Sequence, residues 1–249
     1  MKEINYILGL PITTDTISEE FLEFINSEEN KIIVTTGSFF FNGQDYTLTK
    51  VGFDQLMRKG FKIFGNNKER AFIPPNVNKS ILQINLDFSV VNSSPDSILE
   101  YIENIIDSLD LEKSDTVCYA CPGSPYLYDS LSKTIINKYK DIKVIDTKSS
   151  ADIIKEKLEI DKPVEIIYSN QMNFNEDSLN IFGCLGSNYV PFNVQSLMQN
   201  IKNYDKIYQI KLGYKQEEFI REVYKEQIIY ELGKNIDYFS DSTLAMHKS

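Results

Sequence analysis

What most constrains this chain is a succession that recurs through its first half: a short apolar run, a loop, then a helix-period segment opened by a capping residue. It is clearest from Ser114 to Asp129, SDTVCYACPGSPYLYD. Val117, Cys118, Tyr119 and Ala120 form a β-rich run that empties into Pro122-Gly123-Ser124-Pro125, and Tyr126 to Tyr139 reads as a helix. In open α/β sheets such a turn lies at the carboxyl end of a strand, where backbone approaches a ligand and a helix N-terminus offers free N–H groups. A ligand site is the first expectation there, beside the plainer one that a Pro-Gly turn merely joins strand to helix.

Upstream, Glu3 to Leu10 reads as a buried strand, and Thr16 with Glu19 as the capping box of a helix carrying Phe21, Leu22, Phe24 and Ile25. Lys31 to Thr36 is a second strand, closed by Gly37-Ser38. A helix is predicted over Leu48 to Lys59, with Leu48, Val51, Leu56 and Met57 as inward candidates and Gly60 as its stop. A strand at Phe61 to Phe64, an irregular stretch over 65–80 and an extended strand from Ile81 to Val91 follow. Ser94 caps and Pro95 opens a helix reaching Leu109. Beyond the opening stretch, Ile142 to Ile145 is a strand ending in Asp146-Thr147, and Ser149 caps a helix with Asp152 at the capping-box position. The fold class is α/β, and this half predicts a mostly parallel sheet with helices on both faces.

The second half differs. Val164 to Tyr168, Leu179 to Leu185 and Lys206 to Leu212 are strand candidates with only a short helix, near Val194 to Ile201, among them. That pattern predicts a mixed sheet with antiparallel pairs. A final helix is predicted over Lys215 to Leu232, stopping at Gly233, with a loosely held tail to Ser249.

A formal net charge of -10 argues against gripping a phosphate backbone, so no nucleic-acid partner is expected. No stretch approaches the ~20 apolar residues of a membrane span, and the apolar run at the N-terminus is too short for a signal peptide. No membrane partner and a cytoplasmic location are therefore expected. Cysteines occur at 118, 121 and 184, an odd number that forbids a complete internal disulfide set. Cys118 and Cys121, three apart in a strand, face opposite sides, and Cys184 and His247 supply no second half-site, so no metal is expected. Gly183 and Gly186 make no dinucleotide or Walker fingerprint. The acidic run Glu217, Glu218 and Glu222 to Glu231 is interleaved with Lys and Arg and reads as an ion-paired helix face.

Several short segments, in order, resemble the tetrapyrrole methylase superfamily, the class III S-adenosylmethionine (SAM) methyltransferases. Tyr6-Ile7-Leu8-Gly9-Leu10 resembles the family's first strand, and Thr36-Gly37-Ser38-Phe39 a Gly-Ser turn after the second. Tyr119 to Pro125, YACPGSP, resembles the turn after the fourth strand, nearest to the methylase-like domains fused to MazG-type pyrophosphohydrolases. Val144 to Ala151, VIDTKSSA, is similar to the next strand and its Ser-containing turn, and Ile207 to Ile210 to a late strand. Two places depart from the pattern. Gly9-Leu10-Pro11-Ile12-Thr13-Thr14-Asp15 stands where the family carries Gly-x-Gly-Pro-Gly-Asp, and Asp146-Thr147 where Pro-Gly is customary.

The resemblance implies two domains, 1–147 and 148–249, with SAM and a methyl acceptor in the cleft between them. Carried over residue by residue, Pro122, Gly123, Ser124, Tyr126, Ser149, Ser150, Ala151 and Gln209 would border the cofactor. Leu10, Pro11, Gly37 and Ser38 would lie on the acceptor side. A tetrapyrrole-like small molecule and a peptide are both open as acceptor, and a homodimer is the family expectation. The alternative implied by the altered first loop is a methylase-fold protein that has lost the reaction and serves as a binding or regulatory partner.

Methyl transfer from a sulfonium needs little from the protein beyond orientation, exclusion of water and, for some acceptors, removal of a proton. The single histidine, His247, falls in the tail. Asp15 remains as a base, or simply a cap; Tyr46 and Tyr126 remain as orienting groups, or simply packing. No catalytic residue is assigned.

Overall fold

The computed structural model describes residues 3–36, 50–67, 70–84, 86, 94–127, 129–167, 174–182, 194–234 and 243–249. It divides into two compact units, Met1–Lys148 and Ser149–Ser249. No helix among the described residues is long and apolar enough to cross a membrane.

The first unit is built on β1 (Tyr6–Leu10), β2 (Lys31–Thr36), β3 (Lys62–Asn67), β4 (Arg70–Ala71), β5 (Lys79–Ile84), β6 (Thr116–Pro122) and β7 (Lys143–Ile145). They lie in the order β4-β3-β5-β2-β6-β1-β7, all pairs parallel except the β3–β4 hairpin. Strand residues alternate between two apolar cores, as a sheet covered on both faces requires. On one face Leu8, Ile33, Ile81 and Ala120 pack with Phe21, Phe24 and Ile25 of α1 (Glu19–Asn26) and Phe53 and Leu56 of α2 (Lys50–Arg58). On the other, Ile7, Val34, Leu82 and Tyr119 pack with Leu99, Ile102 and Ile106 of α3 (Pro95–Asp107) and Leu131 and Ile135 of α4 (Ser130–Lys138). Cys118 belongs to the first core and Cys121 to the second, and burial pushes both thiols up. Between α3 and α4, buried Glu103 takes Lys138 Nζ at 2.6 Å and the Tyr139 hydroxyl at 2.5 Å.

Several boundaries differ from the sequence expectation, each for a local reason. The α1 cap is Ser18, whose hydroxyl accepts from Phe21 N–H, while Thr16 ends a 3₁₀ turn (Thr14–Thr16) and gives its hydroxyl to Thr13 O. Met57 is exposed, and Phe53 takes the inward place. Gly60, at φ +85°, does terminate the α2 segment. Within 65–80 the chain is not wholly irregular, because β3 and β4 form a hairpin there; the strand of 81–91 is β5, and 85 and 87–93 lie outside the described residues. Most relevant to the site, α4 starts at Ser130 and not at Tyr126. Asp129 is the stronger cap, accepting from Leu131 N–H at 3.1 Å and from the Ser132 hydroxyl at 2.8 Å.

The second unit holds α5 (Ser150–Leu158), β8 (Val164–Ile167), β9 (Leu179–Phe182), α6 (Val194–Asn200), β10 (Lys206–Lys211), β11 (Phe219–Glu222), α7 (Lys225–Lys234) and β12 (Thr243–His247). Its sheet is mixed, in the order β11-β10-β12-β9-β8, with only β8–β9 parallel. Two expectations are corrected. Residues 215–224 are not helical: Tyr214 O accepts from Glu217 and Glu218 N–H, closing a turn, and β11 then pairs antiparallel with β10, so the helix begins at Lys225 and runs past Gly233. The end of the tail is not loose, since β12 sits between β10 and β9 with Leu244, Ala245 and Met246 fully buried; 235–242 lie outside the described residues.

Tyr204 is completely buried in this core, edge-on to Phe174 at 5.7 Å, and its hydroxyl has no hydrogen-bond partner among the described residues. Burial, with smaller contributions from Glu176 and Glu165, pushes its pKa from 10.0 up to about 12. Raised in the folded state, it contributes stability that is complete below pH 10 and lost as the pH climbs toward 12. Tyr204→Phe should therefore melt at the wild-type temperature or slightly higher at pH 7, because an unpaired buried hydroxyl is removed. Above pH 10 its melting temperature should fall less steeply than that of the wild type; parallel pH profiles would contradict this.

Candidate functional site

The carboxyl ends of β6, β1 and β7 lie side by side, with Leu10 opposite Pro122 and Leu8 opposite Ile145. One glycine decides how close their loops come. A Cβ on Gly9 would stand 2.6 Å from Gly123 O, 3.0 Å from Thr147 Cγ2 and 3.1 Å from Pro125 Cδ, so the three segments meet where only hydrogen fits. Gly123 itself takes φ +62°, a conformation that favours glycine, while its N–H donates to Leu10 O at 3.0 Å. Polar side chains lace the same corner. Ser124 Oγ donates to Asp146 Oδ1 at 2.8 Å, Thr147 N–H donates to that oxygen at 2.8 Å, and Thr147 Oγ1 donates to Thr16 O at 3.0 Å.

The loop after β1 is pinned by α2. Gly52 N–H donates to Pro11 O at 3.0 Å, and a Cβ on Gly52 would lie 2.9 Å from Pro11 Cδ. Leu10, Pro11, Ile12 and Thr13 are consequently buried. Of the residues singled out from sequence, Pro122, Gly123 and Ser124 are part of this corner, and Tyr126, with its neighbour Leu127, stands exposed just beyond it. Asp15 is exposed in the 3₁₀ turn. Gly37, Ser38, Tyr46, Cys184, Gly183 and Gly186 lie outside the described residues.

In the second unit, Ser149 is the cap of α5: its hydroxyl accepts from Asp152 N–H at 3.1 Å and donates to Asp152 Oδ2 at 2.6 Å. Ser150 opens that helix half-buried and Ala151 is buried. Gln209, buried on β10, has its carbonyl taken by Arg221 Nε at 2.8 Å and Nη2 at 2.5 Å. Glu218 pairs with Lys157 at 2.8 Å and Glu222 with Lys206 at 2.7 Å, from a turn and a strand and not from the helix face expected. His247 is on β12, its ring stacked on Tyr208 at 6.1 Å.

Sequence reading missed the roles of Gly9, Gly52, Thr16 and Asp146. For Asp146 a signal existed, an acidic residue directly after a strand, but its partner Ser124 is reached only across β1.

No protein-family model matches this sequence, and a search of curated proteins gives no match. Solved structures do match over the whole chain. A putative cobalamin synthesis related protein (CobF) from Corynebacterium diphtheriae is similar with TM-score 0.60 at 13% identity, over 100% of this chain and 99% of that one. The chain has the tetrapyrrole methylase fold. Among other structures with this methylase fold, the cobalamin biosynthetic enzyme cobalt precorrin-4 methyltransferase (CbiF) matches with TM-score 0.54 at 10% identity, covering 98% and 94% of the two chains. Uroporphyrin-III-C-methyltransferase from Thermus thermophilus gives TM-score 0.54 at 10% identity, covering 100% and 93%. The methylase fold thus accounts for both sheets, while the polar corner past β6, β1 and β7 is described by this chain's own residues.

Proposed function

We propose that this chain is a SAM-dependent methyltransferase of the tetrapyrrole methylase type, acting on a tetrapyrrole-like small molecule or a peptide. The observation that carries the reading is the glycine-dependent corner at Gly9 and Gly123, where backbone comes close enough to a strand end to contact a ligand. The fold it shares with proteins named as methyltransferases supports the same reading. SAM, when bound, supplies an electrophilic methyl group; the chain's part is to bind and orient. Pro122, Gly123 and Ser124 would border the cofactor, with exposed Tyr126 as an apolar neighbour. Ser149, Ser150, Ala151 and Gln209, and on the acceptor side Leu10, Pro11, Gly37 and Ser38, enter on the family resemblance alone. A cytoplasmic homodimer belongs to the same reading, and light scattering of the purified chain tests the dimer.

A second reading, a methylase-fold binding or regulatory protein without the reaction, is favoured by one observation: the loop after β1 is buried from Pro11 to Thr13 and then closed on itself by the Thr13–Thr16 bonds. Calorimetry with SAM and with S-adenosylhomocysteine decides between them. Saturable binding tighter than ~1 mM is expected; its absence would remove the enzyme reading. Gly123→Arg places a long side chain on a positive-φ residue at the corner and should abolish that binding in a protein that still melts cooperatively. Unchanged affinity in this variant would refute the site.

A further inference from the structure

We infer that Asp146 and Ser124 together form a subsite for a vicinal diol, the ribose of an adenosyl ligand, an assignment that rests on the proposed SAM site. The two residues belong to strand ends separated by β1, so their 2.8 Å hydrogen bond spans three adjacent strands, past Gly9. Asp146 Oδ1 is fully engaged, taking both Ser124 Oγ and Thr147 N–H. Oδ2 has no hydrogen-bond partner among the described residues, and Asp146 is exposed. One oxygen clamped and one free is the arrangement of a carboxylate held ready for an incoming donor.

Ser124 adds the second half. Its proton is committed to Asp146, which leaves the Ser124 oxygen as an acceptor, and the residue is 8% exposed. Two adjacent acceptors of this kind suit two adjacent hydroxyl donors. A carboxylate past the end of a parallel strand is a general means of holding nucleoside ribose. Phosphate or carboxylate ligands are disfavoured, since the charged member of this hydrogen-bonded set is itself anionic. The Pro-Gly of the resembled family carries no side-chain acceptor at the position of Asp146-Thr147, so this subsite is a property of the present sequence.

The test is calorimetry on the full chain with S-adenosylhomocysteine, adenosine and 2′,3′-dideoxyadenosine. Wild type should prefer adenosine to its dideoxy analogue by about 10- to 100-fold, the range of hydrogen bonds to a charged acceptor. Asp146→Asn keeps an oxygen for Ser124 and Thr147 but replaces the free carboxylate oxygen with an amide; it should weaken S-adenosylhomocysteine by a similar factor and erase the preference for the diol. Equal binding of adenosine and dideoxyadenosine by the wild type overturns the diol assignment without recourse to any variant. Wild-type affinity for S-adenosylhomocysteine in Asp146→Asn overturns the role of Asp146 alone. Failure of the wild type to bind any of the three ligands overturns the proposed function and this inference with it.

Discussion

A chain lacking residues 243–249 is expected to lose the cooperative unfolding of its second unit. β12 occupies the middle of that sheet, with Ile207 opposite Met246 on one side and Phe182 opposite Leu244 on the other. Burying Leu244 and Met246 is worth about 1.5–3 kcal/mol each. Removing the strand also bares the inner edges of β9 and β10, leaving ladder groups without partners. The combined loss, upwards of ~5 kcal/mol, is comparable with the whole stability of an ordinary domain. Hydrogen exchange is the measurement to make: amides of β8 to β11 should exchange as in an unfolded chain, while those of β1, β2 and β6 keep their protection. Retained protection in β9 and β10 would show that β12 is dispensable.

Gly9→Val should cost the first unit about 1–3 kcal/mol in urea unfolding and, where the wild type binds S-adenosylhomocysteine, reduce that affinity by more than tenfold. The cause is backbone and not a flexible side chain, because the added Cβ meets Gly123 O at 2.6 Å. Either β1 or the Pro122–Pro125 turn has to move, and the turn, held by the Gly123 N–H bond to Leu10 O and the Ser124–Asp146 bond, is softer than β1, which is laddered to β6 on one side and β7 on the other. Gly65→Val is the control. Gly65 lies in β3 with nothing within 4 Å of its Cβ position, so valine there should be neutral or mildly stabilising. If both variants melt like the wild type, close approach at Gly9 is not what shapes the corner.

Local signals account for what could be read in advance. Apolar runs gave β1, β2 and β6, and Ser94-Pro95 and Ser149 marked helix starts because their caps involve residues three apart in sequence. The errors arise where pairing partners are distant. Phe219 and Val223 lie at helical spacing, yet 219–222 gains more by pairing with β10, and Thr243–His247 is too short a run to advertise that it completes a sheet. The late start of α4 was not decided by local signals, since Ser124-Pro125 offers as good a helix start as Asp129 does; the Ser124 hydroxyl is given to Asp146 instead, and Asp129 caps Leu131. At the site, the Pro-Gly turn is legible and its contact with Asp146 is not: 22 residues separate Ser124 from Asp146, and only the β6-β1-β7 order brings them together.

The placement of β12 also fixes the order of events during synthesis. Until Thr243–His247 emerges, the second sheet exists only as two separate strand pairs, β8 with β9 and β10 with β11. Two-stranded pairs are marginal in water. A nascent chain paused before Thr243 therefore presents unpaired edges and uncovered apolar side chains such as Phe182 and Ile207, the surfaces on which chaperones act and aggregates start. For this unit, the rate of reaching the last strand sets how long the chain stays exposed.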